Sequence, residues 1–181
     1  MLERGLERRH FLLGLGGLGV AALLPMPALA SLSAPVRKLN LHNLRTGEQV
    51  TASFWEEGHY LDEGLNSFNR IMRDVRRNEV FPIDRALYDQ LFLLQHRLGR
   101  KGEIQIISGY RAPETNRMLQ QRSKGVAKKS YHMLGQAVDL RMPGVVLADL
   151  QRAAKQLRVG GVGYYPRSDF VHLDTGPVRS W

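Results

Sequence analysis

The sequence predicts a single α+β domain, in which a small antiparallel or mixed sheet is flanked by helices. Short β-rich runs and runs of helical period occur in mixed order, without the repeated strand–helix–strand units of a parallel α/β sheet. The 181 residues are enough for one core, and no linker divides them after residue 30. The 43% of hydrophobic and 24% of charged residues are typical of a globular protein.

The first half of the chain predicts a hairpin followed by two helices. Residues 36–42 and 49–55 are β-rich runs joined by a segment of turn-forming residues. Apolar residues recur at helical spacing over residues 61–75, which predicts an amphipathic helix. Asp84 is placed to cap a second helix that runs to about residue 98, before a glycine.

The second half predicts strands that alternate irregularly with helices. In chain order we expect a strand over residues 104–108, a helix over 114–122 that Pro113 initiates, a polar loop over 123–131, a strand over 136–142, a helix over 145–157 and a strand over 169–173. The glycine-rich stretch 160–163 precedes the last strand. Because no helix opens after it, we interpret it as a tight connection or groove wall rather than a phosphate cradle.

Residues 1–30 predict a secretion signal of the twin-arginine type. Arg8 and Arg9 precede an apolar stretch, and the small-residue pattern that ends at Ala30 predicts cleavage before Ser31. Pro25 interrupts the stretch too early for a stable membrane span. We therefore expect the twin-arginine export machinery as a partner and the mature domain, residues 31–181, in the periplasm.

Two other features of the sequence narrow the class of protein. Residues 14–19 match the dinucleotide fingerprint, but they follow a charged leader instead of a strand, so we reject that interpretation. The net charge of +9 in an exported chain indicates anionic envelope polymers or a membrane surface, and not nucleic acid, as the partner. The absence of cysteine excludes disulfide scaffolds, thiolate metal sites and thiol nucleophiles, so any metal must bind His, Asp or Glu.

Three residues near predicted strands form a candidate metal-binding set. His132 is followed seven positions later by Asp139, and His172 lies on a separate strand. Gly135 and Ala137 keep the approach between them uncrowded. Two imidazoles and one carboxylate suit a catalytic zinc, which keeps its fourth position for water or substrate.

Two further residues have side chains suited to catalysis beside such a metal. Asp169 lies three positions before His172, where a carboxylate can act as general base. Arg111 follows the strand over residues 104–108, where a guanidinium can polarise the scissile carbonyl or bind a substrate carboxylate. Asp174, two residues after His172, is a rival ligand. We favour a role for it as a hydrogen-bond acceptor that orients His172.

The motifs Ser108-Gly109-Tyr110-Arg111, Ser130-x-His132-x6-Asp139 and Asp169-x-x-His172 resemble those of zinc D-Ala-D-Ala peptidases. These are the VanX/VanY-like enzymes of the Hedgehog/DD-peptidase fold. The segments over residues 111–139 and 160–172 make the resemblance closer still to the MepK (YcbK) murein endopeptidase branch. The resemblance covers about residues 36–181.

The resemblance implies one Zn²⁺ per chain on His132, Asp139 and His172. It also implies that Asp169 is the base and that Arg111 stabilises the transition state, although many relatives carry Glu at the base position. The implied substrate is the stem peptide of peptidoglycan.

Two further residues are candidates for contacting that substrate. The motif places Ser130 beside the metal ligands, and Tyr110 is either part of the substrate groove or a core aromatic. The lysines at 124, 128 and 129 are either an attractive patch for an acidic peptide or a solvated surface.

The leading hypothesis is therefore a zinc-dependent murein endopeptidase that cuts peptide cross-links outside the cytoplasmic membrane. One alternative is a carboxypeptidase or dipeptidase that trims D-alanine from uncross-linked stems. Another is a non-catalytic peptidoglycan-binding module, although such a module would be free to lose Asp169 or Arg111. The sequence leaves open whether the bond cut joins D-Ala to diaminopimelate or two diaminopimelates.

Overall fold

An eight-stranded sheet organises the part of the chain that the computed structural model describes, residues 34–123 and 125–181. Its strands are β1 (Val36–Asn43), β2 (Gln49–Glu56), β3 (His59–Tyr60), β4 (Ile104–Ser108), β5 (Ala137–Arg141), β6 (Gly161–Tyr165), β7 (Phe170–Asp174) and β8 (Arg179–Ser180). The helices of the described residues are α1 (Asp62–Ile71), α2 (Arg85–Arg97), α3 (Pro113–Arg122) and α4 (Leu147–Leu157), with 3₁₀ turns at Tyr131–Leu134 and Pro166–Ser168.

The strand order is β3-β2-β1-β4-β5-β7-β6-β8, and the sheet is mixed. The predicted hairpin is present as β1 and β2, which pair antiparallel, while β1 and β4 pair parallel. From β4 onward the strands β5, β7 and β6 pair antiparallel, and β8 joins β6 in parallel. The predicted α+β class, a mixed sheet flanked by helices, is confirmed.

The core lies between the sheet and its helices. Along β1 the inward residues Leu39 and Leu41 are almost fully buried. The aromatic rings of Phe54, Phe68 and Tyr88 join β2, α1 and α2, with the centroids of Phe68 and Tyr88 5.3 Å apart. Burial of each such side chain contributes on the order of 1.5–3 kcal/mol, so this cluster holds the first half of the sheet against its helices.

The predicted helix boundaries are correct where capping chemistry is explicit. Asp84 accepts a hydrogen bond from the backbone N–H of Ala86 at 3.0 Å and caps α2, and Pro113 opens α3. The first helix is shorter than predicted. It ends at Ile71, and the residues after it turn back in a bridge between Asp74 and Glu79.

The interpretation of residues 160–163 as a connection was wrong, because Gly161–Tyr165 form strand β6. Glycine usually weakens a strand, but here neighbouring side chains fill the space. A Cβ atom at Gly161 would lie 2.4 Å from the guanidinium of Arg179, and one at Gly163 would lie 2.8 Å from the rings of Tyr165 and Trp181. Close approach therefore explains both glycines.

Several predictions fall on residues that the structure does not describe. These are the twin-arginine leader over residues 1–30, the cleavage before Ser31, the dinucleotide-like glycines and the position of Lys124. Among the helices that are described, none has the length and apolar character needed to cross a membrane.

Candidate metal centre

Two neighbouring strands and the turn before one of them position the predicted ligands. Asp139 on β5 and His172 on β7 are directly paired across an antiparallel ladder. His132 lies in the 3₁₀ turn Tyr131–Leu134, whose first N–H groups are capped by the Ser130 hydroxyl, which accepts from His132 N at 3.3 Å. Gly135 ends the turn with φ +66°, a conformation that glycine adopts without strain, and leads the chain into β5.

The three ligand atoms converge on one point. Nε2 of His132 lies 3.2 Å from Oδ1 of Asp139 and 3.2 Å from Nδ1 of His172. Nδ1 of His172 lies 2.8 Å from the same Asp139 oxygen. All three residues are buried, with at most 8% of each exposed. Sequence reasoning thus identified three side chains, separated by up to 40 positions in the chain, that meet in the fold.

The outer nitrogens of both histidines are hydrogen-bonded, and this sets which tautomer each ring adopts. Nδ1–H of His132 donates to the carbonyl of Gly109 at 2.7 Å. Nε2–H of His172 donates to Oδ2 of Asp174 at 3.1 Å. With their protons held on the outer side, Nε2 of His132 and Nδ1 of His172 each present a lone pair to the centre.

The charges of the centre favour an ionised carboxylate. Burial raises the pKa of Asp139, but the contacts with His132 and His172 outweigh it and hold that pKa well below its usual range. Burial lowers the pKa of His132. Burial also acts to lower the pKa of His172, yet the hydrogen bonds to Asp139 and Asp174 are stronger and raise it overall.

This donor set fits a small divalent metal ion. Two ligands each at about 2.0–2.1 Å from a tetrahedral zinc lie about 3.3 Å apart, close to the separations found among the three ligand atoms. Two lone pairs and a carboxylate that face one another repel unless a cation or proton lies between them. Catalytic zinc is commonly held by three protein ligands of the imidazole and carboxylate type, and its fourth position stays open for water or substrate.

Asp174 lies behind His172, as we favoured from the sequence. Its side chain is fully buried, and its oxygens accept from the backbone N–H of Gly161 at 3.2 Å and of Gly176 at 2.9 Å. Arg179 donates to both oxygens, at 3.0 and 2.7 Å. Burial raises the pKa of Asp174, but these bonds and the one from His172 hold it far below its ordinary value.

Arg111 lies beside the ligands, with 12% of its side chain exposed. Nη2 of Arg111 is 3.6 Å from Oδ2 of Asp139 and donates to the hydroxyl of Ser108 at 3.3 Å. Its Nη1 donates to Asn116 at 3.3 Å, and its backbone N–H donates to the carbonyl of His132. Burial lowers the pKa of the guanidinium, while Asp139 acts in the opposite direction.

An open pocket of about 360 Å³ gives access to the centre. One side of the lining comes from the segment 123–131, which contributes Ser130 and Lys129, and a second side, which we call the C-terminal wall, comes from residues 165–181. The side chains of the C-terminal wall are those of Tyr165, Ser168, Phe170, Arg179 and Trp181. A pocket lined by aromatic rings, two guanidiniums and a metal centre suits an extended peptide with carboxylate groups.

The structure does not bring Asp169 or Tyr110 into this pocket. Asp169 has a left-handed backbone, with φ +51°, and its side chain is 61% exposed and paired with Arg141 at 2.5 Å. Its neighbour Phe170 lines the pocket instead. Tyr110 is buried, stacks on Phe81 at 4.5 Å and donates to Glu79 at 3.0 Å. Tyr110 thus has the position of a core aromatic.

Sequence reasoning did not single out the aromatic and basic residues of the C-terminal wall. Tyr165 lies within the segment 160–172 that carries the resemblance but was given no role, and it meets Arg179 and Trp181 because β6 pairs with both β7 and β8. The available signal was the pair of glycines at alternate positions of β6. In a strand, such spacing leaves one face free for rings from neighbouring residues.

Comparison with known proteins gives matches along nearly the whole chain. A family model described as "Peptidoglycan L,D-endopeptidase MepK" matches residues 31–181. The protein of that name from Escherichia coli (strain K12) is 51% identical over 175 residues, 96% of this chain and 96% of that protein. A protein named "Probable peptidoglycan L,D-endopeptidase MepK" from Haemophilus influenzae is 43% identical over 172 residues, which are 93% and 92% of the two chains.

Proposed function

The chain belongs to the peptidoglycan L,D-endopeptidase MepK family, and on that premise we propose that it is a zinc-dependent murein endopeptidase that hydrolyses cross-links between stem peptides. The observation that carries the zinc dependence is the convergence of one carboxylate oxygen and two imidazole nitrogens within 4.8 Å of one another. Relatives that share the name across nearly their whole length support the reaction and the substrate.

His132, Asp139 and His172 are the proposed ligands of one Zn²⁺. When bound, zinc polarises a peptide carbonyl and makes water a stronger nucleophile at neutral pH. The protein's part is to hold the three ligands in fixed orientations. The Gly109 carbonyl and Asp174 hold an imidazole proton on the outer side of each ring, which favours the tautomers whose inner nitrogens can bind the ion.

Arg111 is the proposed electrostatic stabiliser of the reacting carbonyl. Its guanidinium lies 3.6 Å from Asp139, lines the pocket and is only slightly exposed. A cationic donor in such a poorly hydrated position strengthens as negative charge develops on a substrate oxygen. Ser130 lines the same pocket and is the proposed neutral contact, although its hydroxyl also caps the turn that carries His132.

The side chain of Asp169, the predicted general base, lies outside the pocket. To act as the base that the sequence predicts, Asp169 would have to leave Arg141 and turn towards the pocket. Among the described residues that line the pocket, Asp139 is the sole carboxylate, and it is already committed to the metal.

The proposed bond is the direct link between two diaminopimelates. The related proteins are named L,D-endopeptidases, and of the two cross-links that the sequence left open this one suits that name. The basic residues of the pocket, Arg111 and Arg179, suit a peptide with a free carboxylate on each diaminopimelate.

Action on peptidoglycan places the chain outside the cytoplasm, and the proposed route is the predicted twin-arginine signal with release into the periplasm. A variant in which Arg8 and Arg9 are both replaced by lysine tests this route. We expect the precursor to accumulate in the cytoplasm. Unchanged export of this variant would rule out the twin-arginine route.

The experiment for the reaction is digestion of purified cross-linked muropeptides, with the product masses compared against a His132→Ala variant. We expect the wild-type chain, and not the His132→Ala variant, to convert muropeptide dimers into monomers. The masses of the products then identify the bond that is cut. Stems shortened by one alanine, with dimers untouched, would instead establish a carboxypeptidase. A folded, zinc-loaded chain that binds muropeptides without any product would establish the binding module.

A further inference from the structure

We propose that the hydroxyl of Tyr165 donates a hydrogen bond to a backbone carbonyl of the bound stem peptide, and that Trp181 fixes the hydroxyl for this contact. The proposal rests on the proposed function, because it takes the ligand of the pocket to be a peptide. Neither residue belongs to the motifs that identified the metal centre. Both belong to the C-terminal wall of the pocket.

Tyr165 lies at the end of β6 with its ring on the pocket side of the sheet. Its neighbour Tyr164 points the other way and packs against the hydrophobic core, as alternation along a strand requires. The ring of Phe170 stacks on Tyr165 with centroids 4.6 Å apart and planes at 19°. This stacking restricts rotation of the Tyr165 ring and so fixes its edge relative to the pocket.

Trp181 bridges Tyr165 and the metal centre. Its indole N–H donates to the Tyr165 hydroxyl at 2.9 Å, and its ring centroid lies 5.4 Å from that of His172. Two backbone bonds to β6 hold it in place, from Tyr164 N–H to the Trp181 carbonyl and from Trp181 N–H to the Val162 carbonyl. The hydroxyl is thus tied through one side chain to the neighbourhood of a metal ligand.

Gly163 makes this arrangement possible. A Cβ atom there would lie 2.8 Å from Cε2 of Tyr165 and 2.8 Å from Cε2 of Trp181, too close for either ring to stay where it is. The bare backbone at this position therefore lets both rings meet over the strand. Three separate contacts, from Phe170, Trp181 and Gly163, define one orientation of Tyr165.

The hydrogen bonding of the hydroxyl determines what it can recognise. A tyrosine hydroxyl donates one hydrogen bond and accepts others, and the indole of Trp181 already supplies a donor to it. Across residues 34–123 and 125–181, the O–H of Tyr165 has no protein acceptor. A neutral donor suits a neutral carbonyl. A substrate carboxylate would instead pair with Arg111 or Arg179, which line the same pocket.

Tyr165→Phe tests the contact, because it removes one oxygen and leaves the stacked ring. We expect kcat/KM for cross-linked muropeptides to fall about tenfold, the size of one neutral hydrogen bond. Zinc content and the unfolding midpoint stay at wild-type values. The matched control is Tyr164→Phe, the same change on the adjacent residue of the opposite face, which we expect to leave kcat/KM unchanged. Wild-type kcat/KM in Tyr165→Phe would overturn the proposal.

A double-mutant cycle tests the positioning role of Trp181. Trp181→Phe keeps an aromatic ring beside His172 and removes the indole N–H. We expect a loss of about threefold in kcat/KM, smaller than that of Tyr165→Phe, because the hydroxyl remains but is less well oriented. In the Tyr165→Phe background the same change adds no further loss. Full additivity would show that Trp181 acts through packing alone and would overturn its assigned role.

A binding measurement separates failure of this proposal from failure of the proposed function. The chain has two tryptophans, so Trp55→Phe leaves Trp181 as a single fluorescent reporter in the pocket wall. We would titrate this variant with the stem tripeptide L-Ala-D-Glu-diaminopimelate, which contains no cross-link to cleave. When Tyr165→Phe is combined with Trp55→Phe, we expect the Kd of the tripeptide to rise about fivefold to tenfold.

The two measurements have distinct outcomes. A chain that cuts no cross-link contradicts the endopeptidase, and the change in Kd then still decides the role of Tyr165. A chain that cuts cross-links but keeps wild-type kcat/KM in Tyr165→Phe contradicts the Tyr165 contact alone.

Discussion

His172 donates from Nε2 to Oδ2 of Asp174 across 3.1 Å, between two residues on the same face of β7. The opposite ring nitrogen lies 2.8 Å from Asp139, so the imidazole is held at both edges. A carboxylate behind a metal-binding histidine fixes the ring and makes it a stronger ligand. Asp174 therefore orients His172 and is not one of the three residues whose ligand atoms converge.

We predict that Asp174→Asn weakens zinc binding about 10–100-fold, because an amide can still accept from the imidazole but carries no charge. Competition with a chelator of known affinity measures the change. Asp149→Asn, on the exposed surface of α4, serves as control and should leave zinc affinity unaltered. If Asp174→Asn holds zinc as tightly as the wild type, Asp174 has only a structural role.

We predict that removal of zinc destabilises the chain and that the effect depends on His132. A ligand bound only by the folded state adds about 2.7 kcal/mol when its free concentration is 100 times Kd. Chemical unfolding with and without a chelator measures this difference. In His132→Ala the chelator should have little effect. In His59→Ala, a change of an exposed histidine on β3, the full effect should remain. Equal chelator effects in the two variants would contradict the ligand assignment.

We predict that Asp169→Asn retains activity within about twofold, because its side chain is exposed and paired with Arg141 rather than facing the pocket. The measurement is kcat/KM on cross-linked muropeptides. A loss of more than a hundredfold would restore the base role that the motif predicts. It would also require the segment around residue 169 to change conformation when the peptide binds.

We predict that Tyr110 contributes to stability in a pH-dependent way. Burial and the bond to Glu79 raise its pKa to about 12, against about 10 in an unfolded chain. The neutral hydroxyl is favoured by folding, so its contribution is complete below pH 10 and is lost as the pH rises through 12. From pH 8 to pH 12, wild-type protein should therefore lose about 2–3 kcal/mol more stability than Tyr110→Phe.

Urea unfolding of the wild type and of Tyr110→Phe at both pH values measures this difference directly. Other alkaline effects are common to the two chains and cancel in the comparison. A stability gap that stays constant between pH 8 and pH 12 would contradict the raised pKa.

The sequence was most informative where a pattern has one physical meaning. Asp84 before a helical run could only be a cap, and the spacing from His132 to Asp139 fitted a turn leading into a strand. His172 joined the set as an imidazole on a separate predicted strand, and the resemblance to zinc peptidases supported it through its motif. Long-range pairing between β5 and β7 then completes the set, and no local pattern reports such pairing.

The sequence failed where tertiary contacts decide the meaning of a residue. Glycines at 161 and 163 suggest a turn by local propensity, yet they form a strand because Arg179, Tyr165 and Trp181 occupy the space above them. Asp169 is three positions before a ligand, but its left-handed backbone sends its side chain towards Arg141. Neither the contacts of Trp181 nor the left-handed backbone of Asp169 can be read from the spacing of the motif.

The direct pairing of Asp139 with His172 has a consequence for how the protein matures. Because hydrogen bonds between β5 and β7 set the distance between Asp139 and His172, the fold of the polypeptide itself brings these two side chains together. A small zinc finger, by contrast, gains its fold from the ion. Here the ligand geometry depends on the paired strands, so we expect folding of the sheet to come first and delivery of the metal to follow.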